Sequence, residues 1–259
     1  MALGQKLREK LAAKTPCVGS WVSFTDPTIT EILGEAGYDF LVIDGEHASL
    51  GIEAIQLHLI AASAQNVVPI VRVLGNEPTY IKQVLDVGAP AVMIPWVRTV
   101  DDARQAISFC FYPPEGMRGF GPRRAARYGR RGKDYIERAN QELMVIIQIE
   151  HYQAVENLDQ IIKIPGIGAL FIGPWDLSGS LGLLGEVNHP RVKEAIDVVI
   201  SQAHSAEVPV GIAASPLPEE AAKWFSQGVQ FVTMGNDYEI LAQSCDKSVA
   251  KFRNLLTEE

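Results

Sequence analysis

Along this chain, short apolar, β-branched runs alternate with longer stretches of helical pattern, and that rhythm leaves few folds open. The runs at 17–23, 39–43, 67–71, 90–94, 143–148, 168–172, 208–212 and 229–233 read as strands. Between them, 27–37, 51–65, 77–87, 100–110, 151–163, 190–206, 217–227 and 236–255 read as helices. Runs such as FLVI (40–43) and MVII (144–147) are apolar at every position, as in a parallel sheet covered on both faces. Eight such units in 259 residues predict an α/β fold, a (β/α)8 TIM barrel, rather than a doubly wound sheet. No GxGxxG opens a helix after a strand, which removes the dinucleotide-binding variant. No linker rich in Gly, Pro or Ser splits the chain, so residues 1–259 are expected to form a single domain.

Composition narrows the class further. A net charge of −8 argues against nucleic acid as a partner. No apolar run approaches the roughly 18–20 residues that span a bilayer, so no membrane association is expected. The first segment, MALGQKLREKLAAKTP, lacks the apolar stretch of a secretory signal and reads as a short amphipathic helix. Cys17, Cys110 and Cys245 are too far apart for a disulfide framework or a zinc site, and a cytoplasmic protein is expected. One segment breaks the rhythm. Residues 112–134 hold six arginines, at 118, 123, 124, 127, 130 and 131, and few acids. These arginines either pair with acids across a subunit contact, or Arg123 or Arg124 reaches the active-site mouth to bind a distal carboxylate or hydroxyls of a substrate.

In a (β/α)8 barrel, chemistry sits where the strands end. Those positions hold Asp44-Gly45-Glu46-His47 after the second strand, Arg72 after the third, and Pro95 and Trp96 after the fourth. Gln148, Glu150 and His151 follow the fifth, Gly173-Pro174-Trp175-Asp176 the sixth, and Gly235-Asn236-Asp237 the eighth. Glu150 and Asp176 follow neighbouring strands, and two carboxylates share a site only with a cation or a shared proton. Hard oxygen donors point to Mg²⁺ or Mn²⁺; the alternative is two acids favoured by helix N-termini. His151 is either a third ligand or a solvated helix-start residue. Asp44, three residues before His47, is placed to orient the imidazole as a base, or else it caps a turn beside an exposed His. Glu46 is expected to pair with a basic neighbour. Arg72 on an apolar strand faces either an anionic substrate group or a structural partner. His58, His189 and His204 read as structural or solvated. No lysine ends a strand, which disfavours Schiff-base chemistry.

Six segments carry a resemblance in their order along the chain: AGYDFLVIDGEHASL (36–50), VPIVRV (68–73), IKQVLDVGAPAVMIPWV (81–97), YPPEGMRG (112–119), VIIQIE (145–150) and FIGPWDLSGSLG (171–182). Together they resemble the HpcH/HpaI family of pyruvate-utilising class II aldolases. The resemblance implies a barrel whose last helix is exchanged between subunits, and a homo-hexamer built as a trimer of dimers. It implies Glu150 and Asp176 as ligands of a divalent metal (Mg²⁺, Mn²⁺ or Co²⁺), Arg72 as the group neutralising a pyruvate enolate, and His47 with Asp44 as an acid–base dyad. It also implies Gln148 beside bound pyruvate and the backbone amides of Gly173, Trp175 and Asp176 on the keto-acid carboxylate. The implied reaction is reversible cleavage of a 4-hydroxy-2-oxo acid to pyruvate and an aldehyde. The chain departs from the family at Trp175, where a small residue is usual, at the basic stretch 121–131, and at His151. These departures leave the aldehyde open. Two other readings are a citrate-lyase-β-like enzyme acting on a CoA ester, for which no clear nucleotide-binding surface stands out, and a non-catalytic barrel binding an acidic metabolite.

Overall fold

A computed structural model describes residues 3–257. The outermost residues of the expected single domain, 1–2 and 258–259, lie outside the described residues, and 1–2 also begin the segment expected as an N-terminal helix. Eight strands, β1 (Cys17–Val22), β2 (Phe40–Asp44), β3 (Val68–Arg72), β4 (Ala91–Ile94), β5 (Met144–Ile149), β6 (Ile167–Ile172), β7 (Val210–Ala214) and β8 (Phe231–Asn236), pair in sequence order. Every pair is parallel, and β8 closes onto β1. This is the (β/α)8 barrel that the alternation predicts.

Helix α1 (Leu3–Ala12) precedes the barrel. The other described helices are α2 (Thr28–Glu35), α3 (Ile52–Gln65), α4 (Pro78–Asp86), α5 (Val100–Cys110), α6 (Gly132–Glu142), α7 (Tyr152–Glu156), α8 (Leu158–Ile161), α9 (Pro174–Ser180), α10 (Pro190–Ser205), α11 (Pro218–Ser226) and α12 (Asp237–Thr257). Three features differ from expectation. The helix expected over 151–163 is two, because Asn157 breaks it and turns its side chain to the carbonyls of Arg98 and Gln153. Helices α6 and α9 lack a legible apolar period: α6 buries only Ala139, and α9 reads PWDLSGS.

Period two divides the strand residues between two cores. One row of side chains, including Ile43, Val71, Val92, Ile147, Leu170 and Ile212, packs outward under the helices. The alternate row, including Phe40, Val42, Val68, Ile70, Met93, Met144, Ile146, Phe171 and Phe231, fills the barrel interior. That filling is tight. A Cβ on Gly211 would stand 2.6 Å from the Phe231 ring, so β7 needs a glycine there. Helix α1 plugs the N-terminal end of the barrel with Leu7 and Leu11, both part of the interior cluster.

The arginine-rich segment lies at that same end. It leads from α5 into α6 and so to β5, and a helix-to-strand connection returns to the strands' N-termini. Arg124 donates to the carbonyls of Val87 (3.0 Å) and Leu59 (3.4 Å), and the Ala125 amide donates to Asp86. Arg118 pairs with Asp86 at 2.7 Å and lies over the Tyr112 ring. The expectation that Arg123 or Arg124 approaches the mouth of its own barrel therefore fails, because the segment sits on the opposite face.

Candidate active site

The inward row of three strands ends in polar groups. Phe40, Val42 and Asp44 share the inner face of β2, and Val68, Ile70 and Arg72 that of β3; Met144, Ile146 and Gln148 follow the same rule on β5. Parallel register sets Asp44 directly beside Arg72. Asp44, Arg72, Gln148 and Glu150 are all buried. Charges in such a place must be paired.

Arg72 is paired twice. Its Nε and Nη2 donate to the two Asp44 oxygens at 2.9 and 2.8 Å, and Nη1 lies 3.2 Å from Glu46 Oε2. The guanidinium also stacks 4.3 Å from the Trp21 ring, whose indole N–H is held by Thr233. Burial works against the Asp44 anion, but Arg72 and the backbone N–H groups of Glu46 and His47 hold its carboxyl below the usual range.

The structure does not bring Asp44 to the His47 imidazole. Both Asp44 oxygens are spent on Arg72 and on the turn that folds back over them. The carboxylate facing the ring is that of Glu46, with 3.9 Å between Oε2 and Nε2. The His47 side chain is 61% exposed, open to a reactant.

Glu150 is held on both oxygens. Oε1 accepts the Trp96 backbone N–H at 2.7 Å, and Oε2 accepts Gln148 Nε2. Burial pushes the carboxyl up to about 7; the Trp96 N–H opposes this, while the nearby charges of Glu46 and Asp176 add to it. Gln148 keeps a buried Oε1 without a hydrogen-bond partner among the described residues. Gly173 passes so close that a Cβ there would lie 3.2 Å from both Gln148 Nε2 and Glu150 Cβ. Trp175 and Asp176 are exposed in the first turn of α9.

Among the described residues, no group of three or more His, Cys, Asp and Glu side chains is arranged to hold a metal. The donor set here is two carboxylates, Glu150 and Asp176, with the unspent amide oxygen of Gln148 beside them. Hard oxygens and a negative cluster that Arg72 offsets only in part fit a Mg²⁺-like ion that keeps several waters. His151 instead caps α7, its Nδ1 accepting the Gln153 N–H. His58 is buried and bonded at both ring nitrogens, to Thr30 and to the Phe24 carbonyl. His189 caps α10, and His204 meets the Gly228 carbonyl. Among the described residues, no strand ends in lysine.

Sequence reasoning placed Trp96 at the strand ends without a role and did not single out Trp21. Trp96 takes a left-handed backbone (φ 60°) that a bulky residue rarely adopts. From there its amide reaches Glu150 while its indole N–H donates to Glu46 Oε1 at 2.9 Å. No periodicity announces either contact.

A parallel barrel with buried acids, an arginine fork and an exposed histidine at its strand ends is built as an enzyme of the (β/α)8 class. A family model described as HpcH/HpaI aldolase/citrate lyase matches residues 18–244, and the chain belongs to that family. It is 38% identical over 248 residues to a 5-keto-4-deoxy-D-glucarate aldolase of Escherichia coli, covering 96% of each chain. Among solved structures, it resembles an HpcH/HpaI aldolase/citrate lyase family protein from Burkholderia cenocepacia, with 35% identity, a TM-score of 0.92, and 96% and 99% of the two chains covered. An HpcH/HpaI aldolase from Desulfitobacterium hafniense follows at 29% identity and TM-score 0.87, with 95% and 96% covered. The chain is an enzyme that cleaves carbon–carbon bonds.

Proposed function

We propose that the chain, acting as one domain over residues 1–259, is a divalent-metal-dependent aldolase that reversibly cleaves 4-hydroxy-2-oxo acids to pyruvate and an aldehyde. The observation that carries this reading is Glu150: a buried carboxylate beside two other acids, next to an unspent Gln148 oxygen, calls for a cation. Glu150 and Asp176 would hold Mg²⁺, Mn²⁺ or Co²⁺, which supplies Lewis-acid polarisation of the 2-oxo group.

The chain's own groups divide the remaining work. Gln148 and the backbone amides of Gly173, Trp175 and Asp176 position the keto-acid end. His47 takes the proton of the C4 hydroxyl. The C3–C4 electron pair moves to C3 as the C4 carbonyl forms, and the aldehyde leaves. Arg72, fixed by Asp44, offsets the negative charge of the resulting pyruvate enolate. Protonation at C3 gives pyruvate. The 5-keto-4-deoxy-D-glucarate aldolase relatives support an oxo-acid substrate.

The assembly implied by the family resemblance, a homo-hexamer with its last helix exchanged, is supported by α12. Leu241, Val249, Phe252, Leu255 and Leu256 are exposed along it, an apolar face that a partner would cover. We assign the enzyme to the cytoplasm, with no nucleic-acid or membrane partner. Among the described residues no helix is long and apolar enough to cross a membrane.

The test is aldol formation from pyruvate and a panel of aldehydes, with and without Mg²⁺, Mn²⁺ and Co²⁺. Adducts are expected only with a cation present, and borohydride with pyruvate should add no mass to any lysine peptide. Full activity in protein shown by elemental analysis to be metal-free, or a trapped lysine, would overturn the reading.

A further inference from the structure

We propose that Trp96 selects the aldehyde: its half-exposed indole is an apolar wall beside the substituent on C4, and it favours an alkyl chain over one that ends in a carboxylate. This inference rests on the aldolase reading and goes beyond it by naming the side chain and the substrate class.

The backbone comes first. Trp96 follows Pro95 just beyond β4 and holds φ at 60°, a region that a bulky residue rarely adopts. Such strain persists only where surrounding contacts over-determine it. Two contacts do so here. The amide N–H donates to Glu150 Oε1 at 2.7 Å, beyond β5, and the indole N–H donates to Glu46 Oε1 at 2.9 Å, beyond β2. From the end of β4 the side chain therefore reaches back past the end of β3. Arg72, which ends β3, meets the other oxygen of the same Glu46 carboxylate at 3.2 Å.

These two anchors bracket the reacting carbons. Glu150 belongs to the groups that take the 2-oxo end. His47, whose Nε2 lies 3.9 Å from Glu46 Oε2, takes the proton of the C4 hydroxyl. A substituent on C4 therefore leaves the site beside the ring that joins the two anchors.

The chemistry of that ring sets the preference. The indole N–H is the one polar group of the side chain, and it is spent on Glu46. What Trp96 leaves 52% exposed is carbon, which gains by being covered with alkyl surface. A distal carboxylate finds no such gain. Arg72 is spent on Asp44 and Glu46, and His47 is committed to the C4 hydroxyl. Arg98, two residues further on, is engaged electrostatically by Asp102. The groups that the tryptophan itself holds, Glu46 and Glu150, are both acids.

The test compares two aldehydes that differ at one end, pentanal and 5-oxopentanoate, with pyruvate and the metal-loaded enzyme. Each protein is read as the ratio of its two kcat/KM values, so a loss shared by both aldehydes cancels. Wild type is expected to favour pentanal by about tenfold or more. W96F keeps an apolar face and should hold that ratio close to wild type. W96Q keeps a side-chain N–H for Glu46 but removes the hydrocarbon, and should lower the ratio by about 10–100-fold. W96G, which takes a left-handed backbone without strain, should lower it as much and covers the case in which W96Q fails to fold.

A wild type that favours 5-oxopentanoate, or a ratio unchanged in W96Q and W96G, would overturn the proposal. A ratio that falls as far in W96F would assign the effect to the bond with Glu46 rather than to the apolar face, and would overturn it too. Exchange of the pyruvate methyl protons separates this outcome from the reading beneath it. A wild type with neither exchange nor adduct defeats the aldolase reading and the proposal with it, whereas exchange with the opposite aldehyde preference defeats the role of Trp96 alone.

Discussion

At Glu150, burial and two neighbouring acids have a measurable consequence. The carboxyl rises from its ordinary 4.5 to about 7, so between those values the folded chain binds more protons than the unfolded chain at this group. Its contribution to stability therefore falls as pH rises through that window. Without added metal at pH 8, E150Q is expected to melt above the wild type, because an uncompensated charge is gone and Gln148 can turn its free oxygen to the new amide. Added Mn²⁺ should raise the wild-type melting temperature more at pH 8 than at pH 5.5, where protons compete, and should leave E150Q unmoved. A Gln variant that melts lower in chelator and still gains from Mn²⁺ would remove Glu150 from the metal site. Asp44, Arg72, Gln148 and Glu150 were legible in the sequence because period-two strands announce which residues end an inner row. The carboxylate that faces the His47 ring, that of Glu46, was not legible. It depends on how the Gly45–Glu46 turn folds back and on one left-handed tryptophan, and neither leaves a pattern.

Among the elements, strands read well because each buried parallel strand is almost wholly apolar, and the observed bounds depart from the expected ones by at most three residues. Helices read well only where one face is buried. Polar α6 and the glycine- and serine-bearing α9 escaped for want of such a face, and α9 carries Asp176. The β6–α9 junction therefore matters more to the site than its sequence suggests. Gly173 is needed there for space, since its φ of −103° suits any residue. A methyl group at this point meets Gln148 and Glu150 at 3.2 Å. Gly173→Ala is expected to leave the urea midpoint close to wild type and to weaken Mn²⁺ binding by about tenfold, as when a metal ligand's support is disturbed. Unchanged Mn²⁺ affinity by calorimetry would show that the pair tolerates displacement.

Over the whole molecule, chain connectivity settles where the basic segment belongs. A stretch between a helix and the following strand returns to the barrel's N-terminal end, so the order of elements already placed these arginines away from the mouth. Their count and loop length suggested otherwise, and connectivity is the stronger guide. Among the described residues, Arg123, Arg127, Arg130 and Arg131 are exposed and enter no ion pair. At the other end, the strands bring the acids, Arg72 and His47 together around one space. The central claim is that a cation held by Glu150 and Asp176 makes pyruvate reactive there. The most direct measurement is deuterium exchange of the pyruvate methyl group, followed by proton NMR without any aldehyde. Chelated protein should not exchange, restored Mg²⁺, Mn²⁺ or Co²⁺ should start exchange in the wild type, and E150Q should stay silent with metal present. Exchange at the full rate in metal-free protein, or in E150Q, would contradict the account.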